Sequence, residues 1–177
     1  MGTDKSLIEI DGIAMAELVA RTLEAAGCSP VVFVGGDEAS LRMTGRRYVP
    51  DRWPGEGPVG GVLTALDALS GSQSEGVLVC ACDLPDLTVD VVRAVIGSDA
   101  PKRPDVRVAD SGRLEPMLAL WSASAAGRIA DSFIGGTKSL HQIVALLDAH
   151  RVPVDPAALH NVNRAADLGK RQRPPTR

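Results

Sequence analysis

Four short apolar runs constrain this chain more than any other feature. They read "PVVFVGGD" from residue 30, "GVLVCACD" from residue 76, "DVRVAD" from residue 105 and "LEPMLALW" from residue 114. The first three carry their apolar content mainly as valine and the fourth as leucine; each is bounded by Gly, Pro or Asp and short enough to be a strand. Between most of them lie stretches with helical spacing. Residues 14–26 place Met15, Leu18, Val19, Thr22 and Leu23 on one face and stop at Gly27, an amphipathic helix with a glycine end. Residues 61–69 read as a second helix. Thr88 is positioned to cap a third, "VDVVRAVIG", and Ser139 and Gln142 have capping-box spacing ahead of "IVALLDAH".

Strands alternating with helices imply an α/β domain: a Rossmann-like, mostly parallel sheet with helices on both faces. The turn "ADSGR" between the third and fourth runs predicts one antiparallel hairpin. With 177 residues, one domain is expected over 1–169 and can bury a core without disulfides; the basic, proline-containing "GKRQRPPTR" reads as a disordered tail over 170–177. Aromatic residues are only 3%, so Val, Leu, Ile and Ala must build the core.

A formal net charge of -3 gives no global pull toward nucleic acid or an anionic membrane, so a phosphorylated ligand would need local positive charge. No window reaches the roughly 18 apolar residues of a membrane span. The three cysteines, Cys28, Cys80 and Cys82, are too few and too scattered for a disulfide framework or a metal quartet, and His141, His150 and His160 lack ligand spacing. Buried structural thiols in a cytoplasmic protein are the expectation.

In sheets of this kind ligands gather beyond the C-terminal strand ends. Asp83 ends the run "GVLVCACD" there. It reads either as a ligand for Mg²⁺, a hard cation that takes one or two carboxylates plus phosphates, or as the cap of a turn set by Pro85. Asp86 looks more like a helix cap. "WPGEGPVGGVLTAL" places Gly55, Gly57, Gly60 and Gly61 within seven residues, the last two leading into a helix whose first N–H groups can take an anion; a surface loop is the alternative. Lys5 is a compact cation beside Gly2 in "MGTDK", suited to phosphate, or an ordinary terminal lysine. Asn161 and Asn163 of "HNVNRAADL" share a face of an extended segment and could bind a ligand heteroatom, while Asn163 also fits a helix cap.

The order "MGTDKSLIEIDG", "GPVGG", "CDLP", "LEPMLALW", "NVNRAADL" resembles the molybdenum cofactor guanylyltransferase (MobA-like) family and, more broadly, the nucleotide-diphosphate-sugar transferase fold. The resemblance runs from residue 1 to about 169. It implies transfer of GMP from GTP to the terminal phosphate of molybdopterin with release of pyrophosphate. It implies Asp83 as the ligand of the catalytic Mg²⁺ and Lys5 as a contact to the nucleotide phosphates. The nucleotide side would hold Asp51, Gly57, Pro58, Gly60 and Gly61, with Gly60 near guanine, and the pterin side Asn161 and Asn163. The implied partners are GTP and molybdopterin, with contact to other enzymes of the cofactor pathway; no nucleic acid and no membrane are implied.

Leu84 after Asp83 favours the guanylyl over the cytidylyl members, which carry Gln there. Guanylyltransferases acting on other phosphorylated acceptors share "DLP". The family pattern opens with a strand and a loop of the type "LAGGxSxRMGxDK", of which only "MGTDK" is present, so the first central strand of the sheet is expected to be missing. A coding start some 10 to 20 residues upstream is the favoured explanation over a weakly active or non-catalytic nucleotide-binding relative.

Overall fold

A computed structural model describes residues 8–71, 76–97 and 104–162. Lys5, Asn163 and the expected tail lie outside the described residues.

Ile8 leads into a small hairpin, β1 (Glu9–Ile10) and β2 (Ile13–Ala14). Its two-residue turn is Asp11-Gly12, both at positive φ (53° and 78°). That is the turn chemistry that matches strand twist. Helix α1 (Met15–Ala25) follows directly. It buries Met15, Ala16, Val19, Ala20 and Leu23. The buried stripe is therefore rotated from the expected one: Ala16 and Ala20 are buried, and Leu18 and Thr22 sit at its half-buried margin.

The next units are β3 (Val32–Val34), α2 (Glu38–Arg42) and β4 (Arg47–Val49). Strands β3 and β4 pair in parallel as a separate two-stranded sheet. Asp37 caps α2 by accepting the Ser40 N–H at 3.0 Å. Then come α3 (Pro58–Ala68), β5 (Gly76–Cys80), α4 (Val89–Ile96), β6 (Val106–Asp110) and β7 (Leu114–Ser122). A 3-10 turn leads into α5 (Ala126–Ile134), followed by α6 (Leu140–Ala145) and β8 (Ala149–Pro153). The last described element is a second 3-10 turn, Pro156–Leu159.

The larger sheet has the order β5-β7-β6-β8. It is mixed: β7 runs antiparallel to both neighbours, and β8 runs parallel to β6. The parallel pairs in the described residues are thus β3/β4 and β6/β8, fewer than a mostly parallel sheet implies. The hairpin at "ADSGR" is present as β6/β7, with Gly112 at φ 98° in its turn and a register shift between Val108 and Ala109.

Alternation along these strands sorts the core into two layers. Val77, Val106, Val108, Ala119 and Trp121 face one way and pack with α3, α5 and α6. Leu118 and Ala109 face the other way and pack with Val19 and Leu23 of α1 and Val92 and Val95 of α4. A strand buried on both faces has this near-continuous apolar character. The result is three layers, helices on both faces of the sheet, as expected.

Several local expectations change. Helix α3 starts at Pro58, three residues before the expected start at 61, because Pro fits the first helical position. Gly60 and Gly61 are therefore inside its first turn. Strand β5 ends at Cys80, so Asp83 sits in a turn three residues beyond it. The Thr88 cap forms, its hydroxyl accepting the Val91 N–H at 3.3 Å, which leaves Asp86 ahead of the cap. Ser139 is the N-cap of α6 but makes no side-chain cap bond. Helix α6 also ends at Ala145; of the residues expected to continue it, 146–148 form the connection and Ala149 and His150 enter β8.

Candidate active site

The turn after β5 is fixed by the far end of the chain. The Asp83 carbonyl accepts the N–H of Val162 at 3.1 Å, and Val162 is fully buried. This bond seats the 160–162 segment on the Asp83 turn and leaves Asn161 exposed beside it. Leu84 and Leu87 anchor the same turn in the core. Asp83 itself is half-buried, and its Oδ1 is a buried oxygen with no hydrogen-bond partner. Nε2 of His160 is in the same condition. A carboxylate oxygen left without a donor costs about 1–3 kcal/mol unless something binds it.

The loop before α3 is tied by one hydroxyl. Thr64, 1% exposed, places Oγ1 3.0 Å from Asp51 Oδ1 and 2.9 Å from the Gly60 carbonyl. It also accepts the Arg52 N–H at 3.2 Å. Asp51 Oδ1 in turn accepts the Trp53 N–H at 3.1 Å. Trp53 stacks edge-on against Phe133 of α5 with ring centroids 5.5 Å apart, and Arg52 covers its other side at 5.0 Å. Gly57 is the N-cap of α3 at φ 86° with no side-chain cap bond; Pro58 brings no N–H and the Gly60 N–H donates to the Gly57 carbonyl at 3.2 Å, so little of the first turn is left to an outside acceptor.

One cavity of about 590 Å³ collects much of this. Asp51, Gly57, Pro58, Gly61 and Asp83 all line it, together with Gly35 and Gly36. Gly60 does not. It is buried in the first turn, where a Cβ would stand 3.0 Å from the Cβ of Trp53. Its small size admits the Trp53 loop to the helix. Asn161 reaches the site only through Val162. Thr64 and Trp53 are structural members of the site that sequence reasoning missed; a threonine inside a helix carries no motif.

The charge is unusual for a site that would take phosphates. Its described lining contains the carboxylates of Asp51 and Asp83 and no Lys or Arg. Burial pushes the Cys80 thiol well above the ordinary thiol range, with the nearby Cys82 thiol adding to it, and burial alone raises Cys28. These thiols stay protonated, the condition of structural cysteines. Among the described residues no group of three His, Cys, Asp or Glu side chains is placed to hold a metal. A single carboxylate with an unsatisfied buried oxygen nevertheless fits a hard divalent cation whose other ligands come from phosphates and water. No helix among the described residues is long and apolar enough to cross a membrane.

The α/β fold brings the glycine-rich helix start and the acidic turn after β5 to one cavity, as the resemblance to the nucleotidyltransferases implies. Comparison with known proteins makes that concrete: the chain belongs to the MobA-like NTP transferase domain family, whose model matches residues 1–153. A probable molybdenum cofactor guanylyltransferase from Opitutus terrae is 30% identical over 155 residues, covering 85% of this chain and 74% of that protein. A probable molybdenum cofactor guanylyltransferase from Mycobacterium marinum is 28% identical over 177 residues, covering 98% and 88%. Among solved structures, molybdopterin-guanine dinucleotide biosynthesis protein A from Archaeoglobus fulgidus superposes with a TM-score of 0.69 at 22% identity, covering 94% of this chain and 87% of that one. The fold is the nucleotide-diphosphate-sugar transferase fold.

Proposed function

We propose that this nucleotidyltransferase moves GMP from GTP to the terminal phosphate of molybdopterin, in the cytoplasm, and releases pyrophosphate. The names of its relatives support this reading. The observation that carries it is the unpartnered, buried Oδ1 of Asp83 in the turn pinned by Val162. A Mg²⁺ ion held there by Asp83 would offset the charge of the phosphates as the leaving group departs. The cavity needs such an ion, because its described lining is acidic. Lys5, outside the described residues, is the other candidate source of positive charge.

The remaining parts position. An acceptor phosphate oxygen attacks the α-phosphorus of GTP and the bond to the bridging oxygen breaks, so pyrophosphate carries away the electron pair. Such a step needs alignment more than covalent help. Gly57, Pro58 and Gly61 present backbone without bulky side chains at the start of α3. Asp51, held by Thr64 and the Trp53 N–H, fixes the loop that approaches the base. Asn161, beside the Asp83 turn, and Asn163, outside the described residues, are assigned to the acceptor side.

The test is incubation of the chain with molybdopterin, Mg²⁺ and either GTP or CTP, with mass detection of the dinucleotide product. The expected result is a guanine dinucleotide and pyrophosphate. A preference for CTP rejects the guanylyl assignment, and product formed only with another phosphorylated acceptor rejects molybdopterin. Nucleotide binding by calorimetry with no product would make the chain a nucleotide-binding module instead.

A further inference from the structure

The loop that leads into α3 is soft by sequence and is held from outside. Gly55 and Gly57 flank Glu56 at φ 82° and 86°, and a Cβ on Gly55 would meet nothing within 4 Å. Two glycines so placed leave the backbone many other conformations. One backbone bond turns the segment: the Glu56 N–H donates to the Trp53 carbonyl at 3.1 Å.

The support comes from the connection between α5 and α6. There the N–H groups of Gly135, Gly136 and Thr137 donate to the carbonyls of Asp131, Phe133 and Ser132 at 2.9, 3.0 and 2.9 Å. Phe133 before the connection and Leu140 after it are both buried in the core. Lys138, between them, is therefore carried on a fixed backbone. Its Nζ lies 3.5 Å from the centre of the Phe133 ring and 2.9 Å from Glu56 Oε2. Its carbonyl oxygen lies 3.5 Å from where a Cβ on Gly57 would stand. Phe133 in turn meets the Trp53 ring edge-on. The contacts close a circuit from Trp53 to Phe133, Lys138 and Glu56, and back to Trp53 through the turn bond. Lys138 bridges its anchored half to its soft half. Lys138 does not line the cavity, whereas Gly57 and Pro58, at the end of the segment, do.

We propose that Lys138 is a positioning residue for the nucleotide: by bridging Glu56 to Phe133 it fixes Gly55–Gly57, the segment that brings backbone to the cavity. The role rests on the proposed use of that cavity for GTP. An exposed ion pair adds little to global stability, and the Lys138 and Glu56 side chains retain 43% and 53% exposure. Their pairing matters locally, where two glycines give the backbone no other support. Holding the segment before the nucleotide arrives removes an ordering cost from binding. It does so equally for bound substrate and transition state, so the effect falls on KM rather than kcat.

The test compares the full chain with Lys138→Gln, Lys138→Arg, and Lys138→Gln combined with Glu56→Gln. Backbone amide NMR relaxation at Gly55, Glu56 and Gly57 is read without nucleotide. KM for GTP and kcat are read with Mg²⁺ and molybdopterin. In Lys138→Gln the order parameters of these amides should fall from about 0.85 toward about 0.6. KM should rise about fivefold while kcat stays within about twofold. The midpoint of thermal unfolding should stay within about 3 °C. Lys138→Arg, which keeps a cation against both partners, should return KM to within about twofold of wild type. The double variant should be no worse than Lys138→Gln alone, since the ion pair is already lost there. Unchanged order parameters in Lys138→Gln would overturn the proposal whatever the substrate is. So would lost order with unchanged KM, or a fall in kcat as large as the rise in KM, which would give Lys138 a part in the chemistry. Calorimetry of the wild type with Mg-GTP keeps the two readings apart. No binding there rejects the GTP assignment, while the relaxation result still decides whether Lys138 holds the segment.

Discussion

At the scale of single residues, the site rests on two side chains with opposite hydrogen-bonding states. Asp83 has an oxygen with nothing bound, and Thr64 has a hydroxyl with three neighbours. If Asp83 serves a cation, then Asp83→Asn should lower turnover of Mg-GTP by about 10²-fold or more. The midpoint of thermal unfolding should stay within about 3 °C, because no protein partner of the carboxylate is lost. Unchanged turnover would remove Asp83 from the chemistry. Thr64→Val should behave differently. It keeps the shape but strips Asp51 and the Arg52 N–H of their shared partner, at about 1–2 kcal/mol of stability measured by urea unfolding. Because Asp51 then loses its fixed position, KM for the nucleotide should rise more than kcat falls. Asp83 could be singled out in the sequence because an acidic residue closing an apolar run is a recognisable pattern. Thr64 could not, because its importance comes from the loop that folds back over it. Gly60 was legible as a glycine that matters, but what it makes room for is the Trp53 backbone and Cβ.

At the scale of elements, the four apolar runs became strands and the first three expected helices formed. What escaped were the short pieces held by tertiary contacts. Strand β4 is three residues, "RYV", and is half-buried or exposed throughout, so no alternation marks it. Residues 143–150 carry an apolar pattern that fits a helix. The chain leaves the helix at Ala145 because β6 offers a parallel partner to Ala149–Pro153. The small hairpin around Asp11-Gly12 directly before α1 was not expected, although Asp-Gly is the dipeptide that such a turn takes.

An ion cluster joins two of these elements: Arg46, just before β4, reaches Glu17 at 2.6 Å and Glu24 at 2.5 Å on α1. The Arg46 guanidinium, with Arg21 assisting, holds the Glu17 carboxyl below the ordinary range although burial opposes it. The Arg46 guanidinium is raised in return, chiefly by Glu24 and Glu17. A carboxyl with a depressed folded pKa contributes stability above its unfolded value, about 4.3, and loses it as pH falls through the folded value. Glu17→Gln should therefore destabilise the chain by about 1 kcal/mol at pH 7, given that Glu17 retains 15% side-chain exposure. The deficit relative to wild type should shrink as pH drops below about 4. Guanidinium unfolding curves at pH 7 and at acid pH measure both; a deficit that is constant with pH would mean that packing, not charge, holds Arg46.

For the whole molecule, the distribution of buried residues divides the structure unevenly. Val106, Val108, Ala109, Leu118, Ala119 and Trp121 are all 0% exposed, so the β6/β7 pair forms the centre of both apolar layers. The β3/β4 ladder has no fully buried residue and no third strand among the described residues. A two-stranded ladder by itself is marginal in water, and here it leans on α3, against β3, and α2, against β4. The two-layer core was foreseeable from strands that are apolar on both faces. The division of the strands into two sheets depends on long-range pairing, which no local pattern encodes. Amide exchange under native conditions should therefore be layered. Amides of β3 and β4 should exchange through openings at least about 2 kcal/mol below those that expose β6 and β7, whose protection should track global unfolding. The gap should widen when denaturant is lowered, because local openings expose little surface and respond weakly to it. If β3 and β4 instead exchanged with the same free energy and denaturant dependence as β6 and β7, the two sheets would open as a single cooperative unit. That would mean the helices alone couple them fully.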